Sequence, residues 1–129
     1  HFAAKPAFAR WEPRTLRHYA ESGTVPLADG GRGLLFDHEV ELGIYRSLPT
    51  MTVVAAADRL RAPIGFVGGT ASREVRYIGL STTRARTGKR LRRIEGSHLF
   101  PMERPAETAA TVQRLIEGMA QSPGAGAGA

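Results

Sequence analysis

The alternation of strand-like and helix-like segments in the second half of the chain constrains the fold most. Residues 64–67, Ile-Gly-Phe-Val before Gly68-Gly69, have the unbroken apolar character of a buried strand in a parallel sheet. Residues 72–82 have helical spacing, with Val75 and Ile78 predicted to face inward, and residues 90–95 follow as an edge-type strand. This order predicts a parallel sheet with crossover helices. Two strands cannot cover both faces and both edges of such a sheet, so we expect further strands from elsewhere.

The clearest predicted helix begins at Pro105, because apolar residues then recur at spacings of three and four. Its predicted inner face consists of Ala109, Val112, Ile116 and Met119. Residues 84–89 before the second strand are predicted to be a basic loop.

The first half of the chain is predicted to be mainly helical. Pro13 suits a first helical turn and Gly23 a helix end, and Asp37 is a predicted N-cap. The pattern predicts helical character over residues 2–10, 13–22, 38–48 and 52–60, with a turn-rich loop over 24–33 and a short extended piece at 34–36.

Composition excludes several kinds of site. The chain has 129 residues, no cysteine and a net charge of +6, so disulfides and cysteine chemistry are absent. No apolar run approaches the ~18–20 residues of a membrane span, and the N-terminus has neither a signal sequence nor an initiator methionine. We therefore expect a cytoplasmic location and a chain that continues a longer one or results from a cut.

His98 is the strongest candidate for chemistry. It lies in the turn Gly96-Ser97-His98, between a predicted strand and a predicted helix. Ligands of open α/β sheets bind beyond the carboxyl ends of the strands. Histidine suits proton transfer because its ordinary pKa is near neutrality. A histidine that only hydrogen-bonds within its own loop would fit the same pattern.

Several segments resemble members of the α/β-hydrolase superfamily. Residues 91–105 resemble the last strand, histidine loop and final helix, and residues 62–69 resemble the preceding strand. Residues 8–14, with 37–41 and Tyr45, resemble the helical cap of lipase- and esterase-like members. The resemblance implies an α/β fold that is the C-terminal part of a hydrolase, incomplete without an N-terminal half.

The resemblance also implies an organisation and a function. Residues 1–61 would be a cap portion, 62–121 the C-terminal β-α-β-α part of the core, and 122–129 a flexible tail. The chain would supply the catalytic histidine, His98, of an enzyme that hydrolyses small carboxylic esters. The predicted partner is the nucleophile-bearing N-terminal half, and the predicted substrate-binding residues are Phe8, Trp11, Tyr19 and Leu99. Packing within the cap would explain its aromatic residues equally well.

The nucleophile and the acid are harder to place. In this family the nucleophile lies on a G-x-S-x-G elbow, which the sequence lacks, and Ser81 in Gly-Leu-Ser reads as a helix-end serine. Many members have an aspartate shortly after the penultimate strand, where this chain has Ser72, a predicted N-cap. Glu74 is a local alternative for the acid. Other members place the acid before the cap, which would put it in the missing half. Glu103 is predicted to be structural, as a helix cap or an arginine partner.

Two other functions fit parts of the pattern. An epoxide hydrolase or dehalogenase-like member would use an aspartate nucleophile in the missing half, with His98 activating water. A non-catalytic binding module would use residues 84–93, in which six of ten side chains are basic. No aromatic residue interrupts that stretch, so a solvated strand edge is the commoner interpretation and nucleic acid is not an expected partner. No metal spacing and no cofactor motif is present.

Overall fold

The structure is a computed structural model that describes residues 2–47, 56, 59–78 and 80–121. The chain forms two compact units: His1–Ala9 with Pro13–Leu60, and Arg10–Glu12 with Arg61–Ala129. The predicted assignment of residues 1–61 to a cap and 62–121 to a hydrolase core remains a prediction.

The described part of the first unit includes helices α1 and α2 and a hairpin. Two 3₁₀ turns, Phe2–Ala4 and Pro6–Phe8, precede helix α1 (Pro13–Ser22), strands β1 (Thr24–Pro26) and β2 (Arg32–Leu34), and helix α2 (His38–Arg46). The prediction for α1 is confirmed, and the helix ends as expected at Gly23, whose N–H donates to the carbonyl oxygen of Tyr19 at 2.8 Å. Helix α2 is capped as predicted, since the Asp37 carboxylate accepts from the N–H of Glu39 at 2.8 Å.

Two predictions for the first unit were wrong. Residues 24–33 are not merely a loop, because β1 and β2 pair antiparallel with Thr24 opposite Leu34. Asp29-Gly30, with a Gly30 φ of +81°, makes the turn of this hairpin. The predicted helical character of residues 2–10 is limited to 3₁₀ turns, since Pro6 cannot donate a backbone hydrogen bond. The apolar side chains of Val40, Ile44 and Tyr45 on α2 are exposed. The helix predicted over residues 52–60 lies largely outside the described residues.

The second unit is a β-α-β-α arrangement, as predicted. It contains β3 (Phe66–Gly69), α3 (Arg73–Ile78), α4 (Leu80–Thr87), β4 (Leu91–Ile94), the short α5 (Phe100–Glu103) and α6 (Pro105–Ala120). Strands β3 and β4 are parallel, with Phe66 opposite Leu91 and Gly69 opposite Ile94. Within the described part of the chain each sheet has two strands, so the fold is a mixture of helices and small sheets.

Some boundaries in this unit differ from the predictions. The first parallel strand begins at Phe66 and includes both glycines that were expected to end it. Residues 84–89, predicted to be a loop, instead complete α4 and enter a 3₁₀ turn, Gly88–Arg90. The basic side chains of this segment are mostly exposed and do not prevent the helix.

The core of the second unit is small. Among the residues that the structure describes, its buried apolar side chains are Trp11, Val75, Ile94, Phe100 and Leu115. Val75 is buried as predicted, but the predicted inner face of α6 was wrong, because Thr111 and Leu115 are buried while Val112 is 38% and Ile116 56% exposed. Thr111 and Leu115 have the same helical spacing as Val112 and Ile116 on the adjacent face. Because Thr111 is polar, the sequence pattern favoured the other face as the buried one. Among the described residues no helix is long and apolar enough to cross a membrane.

Candidate active site

His98 lies where two neighbouring strands end. Because β3 and β4 are parallel and in register, the loops that follow them meet at the same edge of the sheet. The N–H of Thr70 donates to the oxygen of Ile94 at 2.8 Å, and the N–H of Ala71 donates to the oxygen of Gly96 at 2.8 Å. These backbone hydrogen bonds join the loop after β3 to the histidine loop.

Two glycines allow the loops to approach this closely. A Cβ atom added at Gly69 would lie 1.9 Å from the backbone oxygen of Ser97. Gly96 has a φ of +146°, which side chains disfavour, and a Cβ there would lie 2.9 Å from the Cβ of Phe100. The position of His98 therefore depends on the absence of side chains at both positions.

A carboxylate from the first loop faces the imidazole. The Nδ1 atom of His98 lies 3.6 Å from Oε2 of Glu74 and 3.4 Å from Oγ of Ser72. The Ser72 hydroxyl donates to the same carboxylate oxygen of Glu74 at 3.0 Å. With a proton on Nδ1 directed towards Glu74, the Nε2 atom is the nitrogen that can take a proton from another group.

Ser72 has a structural position in this cluster. It is 1% exposed, and its Oγ accepts from the N–H of Val75 at 3.3 Å, so the predicted N-cap of α3 is confirmed. In a catalytic triad the nucleophile and the acid contact opposite nitrogens of the histidine. Ser72 and Glu74 both lie on the Nδ1 side of His98, so this serine is not placed to be its nucleophile.

Glu74 is held in its charged form. Its pKa is lowered below the ordinary value of 4.5, first by a hydrogen bond from its own backbone N–H and then by the Ser72 hydroxyl. Partial desolvation opposes this, while the charges of His98 and Arg73 lower the pKa further. At neutral pH the group facing Nδ1 of His98 is therefore a carboxylate, which can accept a hydrogen bond from that nitrogen.

Glu103 fixes the other side of the histidine loop. Its side chain is 6% exposed and accepts from the Ser97 hydroxyl and, at 3.2 Å, from the N–H of Ser97. Arg10 lies 3.3 Å from the same carboxylate. The predicted structural role, as the partner of an arginine, is thus confirmed, and Glu103 positions the residue next to His98.

The predicted substrate-binding residues divide between the two units. In the first unit the Phe8 and Tyr19 rings lie with centroids 5.5 Å apart, and both also contact the ring of Phe2. In the second unit Leu99, next to His98, is 39% exposed, whereas Trp11 is 9% exposed, which favours a packing role for Trp11. Substrate binding by all four residues remains a prediction.

Other candidate groups do not form a site with His98. Ser81 is exposed at the start of α4. Among the residues that the structure describes, no group of three or more histidine, cysteine or carboxylate side chains could hold a metal ion. From the sequence, Glu74 was only an alternative candidate for the acid that pairs with His98. The signal for it was its position two residues after Ser72, the N-cap of α3.

Comparison with known proteins adds no relative: no family model, curated protein or solved structure matches the chain.

Proposed function

We propose that the chain is the C-terminal part of an α/β-hydrolase that cleaves carboxylic esters, with His98 as general base and Glu74 as its acid. The observation that carries this proposal is the 3.6 Å approach of the Glu74 carboxylate to Nδ1 of His98, at the carboxyl ends of adjacent parallel strands. Proton-transfer groups in open α/β folds are found at this edge.

The chemistry follows from the two faces of the imidazole. Nε2 takes the proton of a serine hydroxyl as that hydroxyl attacks the ester carbonyl, and the imidazolium later donates it to the departing alcohol. Glu74 keeps the proton on Nδ1 and stabilises the positive charge that develops on the ring.

The nucleophile is proposed to come from an N-terminal half outside these 129 residues. The sequence contains no G-x-S-x-G elbow, and Ser72 lies on the acid side of His98. The described parallel sheet has two strands, fewer than such a sheet needs, and the exposed Val112 and Ile116 on α6 are apolar side chains that further elements would bury. The same half would supply the oxyanion-binding N–H groups.

The first unit is proposed to be part of a cap. Its ring cluster of Phe2, Phe8 and Tyr19 provides an apolar surface that suits the acyl group of an ester.

The test is to isolate the protein from its natural source through an affinity tag at the C-terminus of the natural polypeptide and to treat it with a fluorophosphonate, which labels activated serines. Mass spectrometry then identifies the labelled residue. We expect a serine in a G-x-S-x-G sequence, in the same or a bound polypeptide, and loss of labelling in His98→Ala. His38→Ala, which changes an exposed histidine of the first unit, is the matched control. An elbow that carries aspartate would indicate the epoxide hydrolase or dehalogenase-like function. Material without an elbow, or labelling that persists in His98→Ala, would contradict the proposal.

A further inference from the structure

A cavity of about 880 Å³ lies within the first unit, where α1, the β1–β2 hairpin and the N-terminal 3₁₀ turns meet. We propose that this cavity binds a medium-chain alkyl carboxylate, with the alkyl chain against its apolar walls and the carboxylate on an arginine. The proposal does not depend on the hydrolase function, because the described lining residues all belong to the first unit and binding involves no reaction.

Side chains from the helix and from the hairpin face the same space. Arg17, Ala20 and Glu21 are three and four positions apart, so they lie on one face of α1. On β2, Arg32 and Leu34 are two positions apart and therefore project from the same face of the hairpin. Both sets line the cavity, so one face of each element forms a wall of it.

Thr24 ties the two walls together. It lies opposite Leu34 in the pairing of β1 with β2, and its hydroxyl donates to the backbone oxygen of Ala20 at 2.6 Å. The same hydroxyl oxygen accepts from Nε of Arg32 at 2.7 Å. These bonds connect the end of α1 to both strands, so the walls of the cavity are held in place before a ligand binds.

Arg32 keeps one edge of its guanidinium group for a ligand. Its Nε and Nη2 atoms, which form the side edge of the fork, donate to the hydroxyl and to the backbone oxygen of Thr24 at 2.7 and 3.0 Å. The end edge, which includes Nη1, has no acceptor among the described residues. Arg32 is exposed, so a carboxylate can reach this edge and accept from it in a bidentate way.

The lining combines apolar walls with positive charge. Phe2 and Ala20 are partly buried, and the Phe2 ring is held edge-to-face against the ring of Tyr19, with centroids 5.6 Å apart. The charged side chains of the described lining are exposed, three of them basic and one acidic: Lys5, Arg17, Arg32 and Glu21. Long basic side chains also contribute apolar stems. A ligand with an alkyl chain and one negative charge complements both properties.

The size of the cavity favours a chain over a small polar group. Its volume of about 880 Å³ lies in the upper part of the range of ordinary ligand pockets, ~300–1,000 Å³. We therefore expect the alkyl chain to supply much of the affinity, since each methylene that is fully buried strengthens binding by up to about fourfold.

Isothermal titration calorimetry of the protein with decanoate, below the concentration at which decanoate forms micelles, tests the proposal. We expect saturable binding at one site. Octanoate should bind about fivefold more weakly or worse, because it has two fewer methylenes to bury. Decyltrimethylammonium, which has the same chain length and the opposite charge, should bind at least about tenfold more weakly than decanoate.

Two pairs of variants locate the site. Arg32→Gln should lower the affinity for decanoate by about fivefold or more, whereas Arg46→Gln, which removes the same charge from an exposed position on α2, should change it by no more than about twofold. Leu34→Ser should also lower the affinity by about fivefold. Leu35→Ser is its matched control, because Leu34 and Leu35 are 66% and 60% exposed but only Leu34 is among the lining residues.

The leucine pair decides the question if Arg32→Gln loosens the hairpin, since Leu34 makes no side-chain hydrogen bond. Absence of saturable decanoate binding, or equal binding of decyltrimethylammonium, would overturn the proposal. Equal losses of affinity in Leu34→Ser and Leu35→Ser would do the same. Binding to anionic lipid vesicles without binding of monomeric decanoate would also overturn it, since that result indicates a membrane surface and not a cavity.

Discussion

Substitution of Gly69 by alanine should destabilise the protein strongly, because this glycine lies where the two loops of the site touch. The new Cβ would be 1.9 Å from the backbone oxygen of Ser97, so the end of β3 and the histidine loop must move apart by about 1 Å. Neither atom belongs to a flexible side chain. Such movement weakens the hydrogen bonds that Thr70 and Ala71 donate across the loops.

The magnitude follows from these two costs. Overpacking at a site that cannot relax costs ~1–3 kcal/mol, and each weakened hydrogen bond adds ~0.5–1.5 kcal/mol. With two weakened hydrogen bonds, we therefore expect Gly69→Ala to lower the free energy of unfolding by about 2–6 kcal/mol. Gly118→Ala is the matched control: a Cβ at Gly118 meets nothing within 4 Å, and alanine in a helix is favoured over glycine by ~0.5–1 kcal/mol.

Urea unfolding followed by far-ultraviolet circular dichroism measures both variants. The expected result is a lower midpoint for Gly69→Ala and an equal or higher midpoint for Gly118→Ala. If both variants unfold at the wild-type urea concentration, the close approach of the strand end and the histidine loop is refuted.

Three further predictions test the packing and the charges of the second unit. Leu115→Ala should lower the free energy of unfolding by ~2–5 kcal/mol in the same assay, because the Leu115 side chain is 7% exposed. Ile116→Ala should lower it by less than ~1 kcal/mol, because Ile116 is 56% exposed. Equal losses in the two variants would contradict the observed buried face of α6. Glu103→Gln should cost ~1–3 kcal/mol, measured likewise, because its donors lose a charged acceptor. Glu74 has a lowered pKa, so its stabilising contribution is present above pH 4.5 and is lost as the pH falls through the folded-state value. The stability difference between wild type and Glu74→Gln should therefore shrink from pH 6 to pH 3, and a constant difference would contradict this.

Local signals in the sequence predicted the elements that local interactions determine. Helix α1 follows from Pro13 and Gly23, and the caps Asp37 and Ser72 bond to backbone groups two or three residues away. The parallel pairing of β3 with β4 follows from helical residues between two strand-like segments, the first apolar and the second of edge type.

Features that depend on packing were predicted less well. The hairpin of β1 and β2 has strands of three residues, too short for a periodic signal. On α6 the face with Thr111 is buried and the more apolar face with Ile116 is exposed. Packing against the neighbouring strand β4 determines which face is buried.

The site was predictable in part. His98 could be recognised from its place after a strand. Glu74 was only one alternative for the acid, because the two residues are 24 positions apart and meet through the register of β3 and β4 and the contact at Gly69.

The central claim is that His98 is a catalytic base with Glu74 as its acid. Steady-state hydrolysis of p-nitrophenyl esters by the protein isolated from its natural source tests it most directly. We predict that kcat/KM falls by about 10²–10⁴-fold in His98→Ala, since general base catalysis contributes this much, and by a smaller factor of at least about tenfold in Glu74→Gln. His38→Ala should leave kcat/KM unchanged. Hydrolysis that persists at the wild-type rate in His98→Ala would contradict the account.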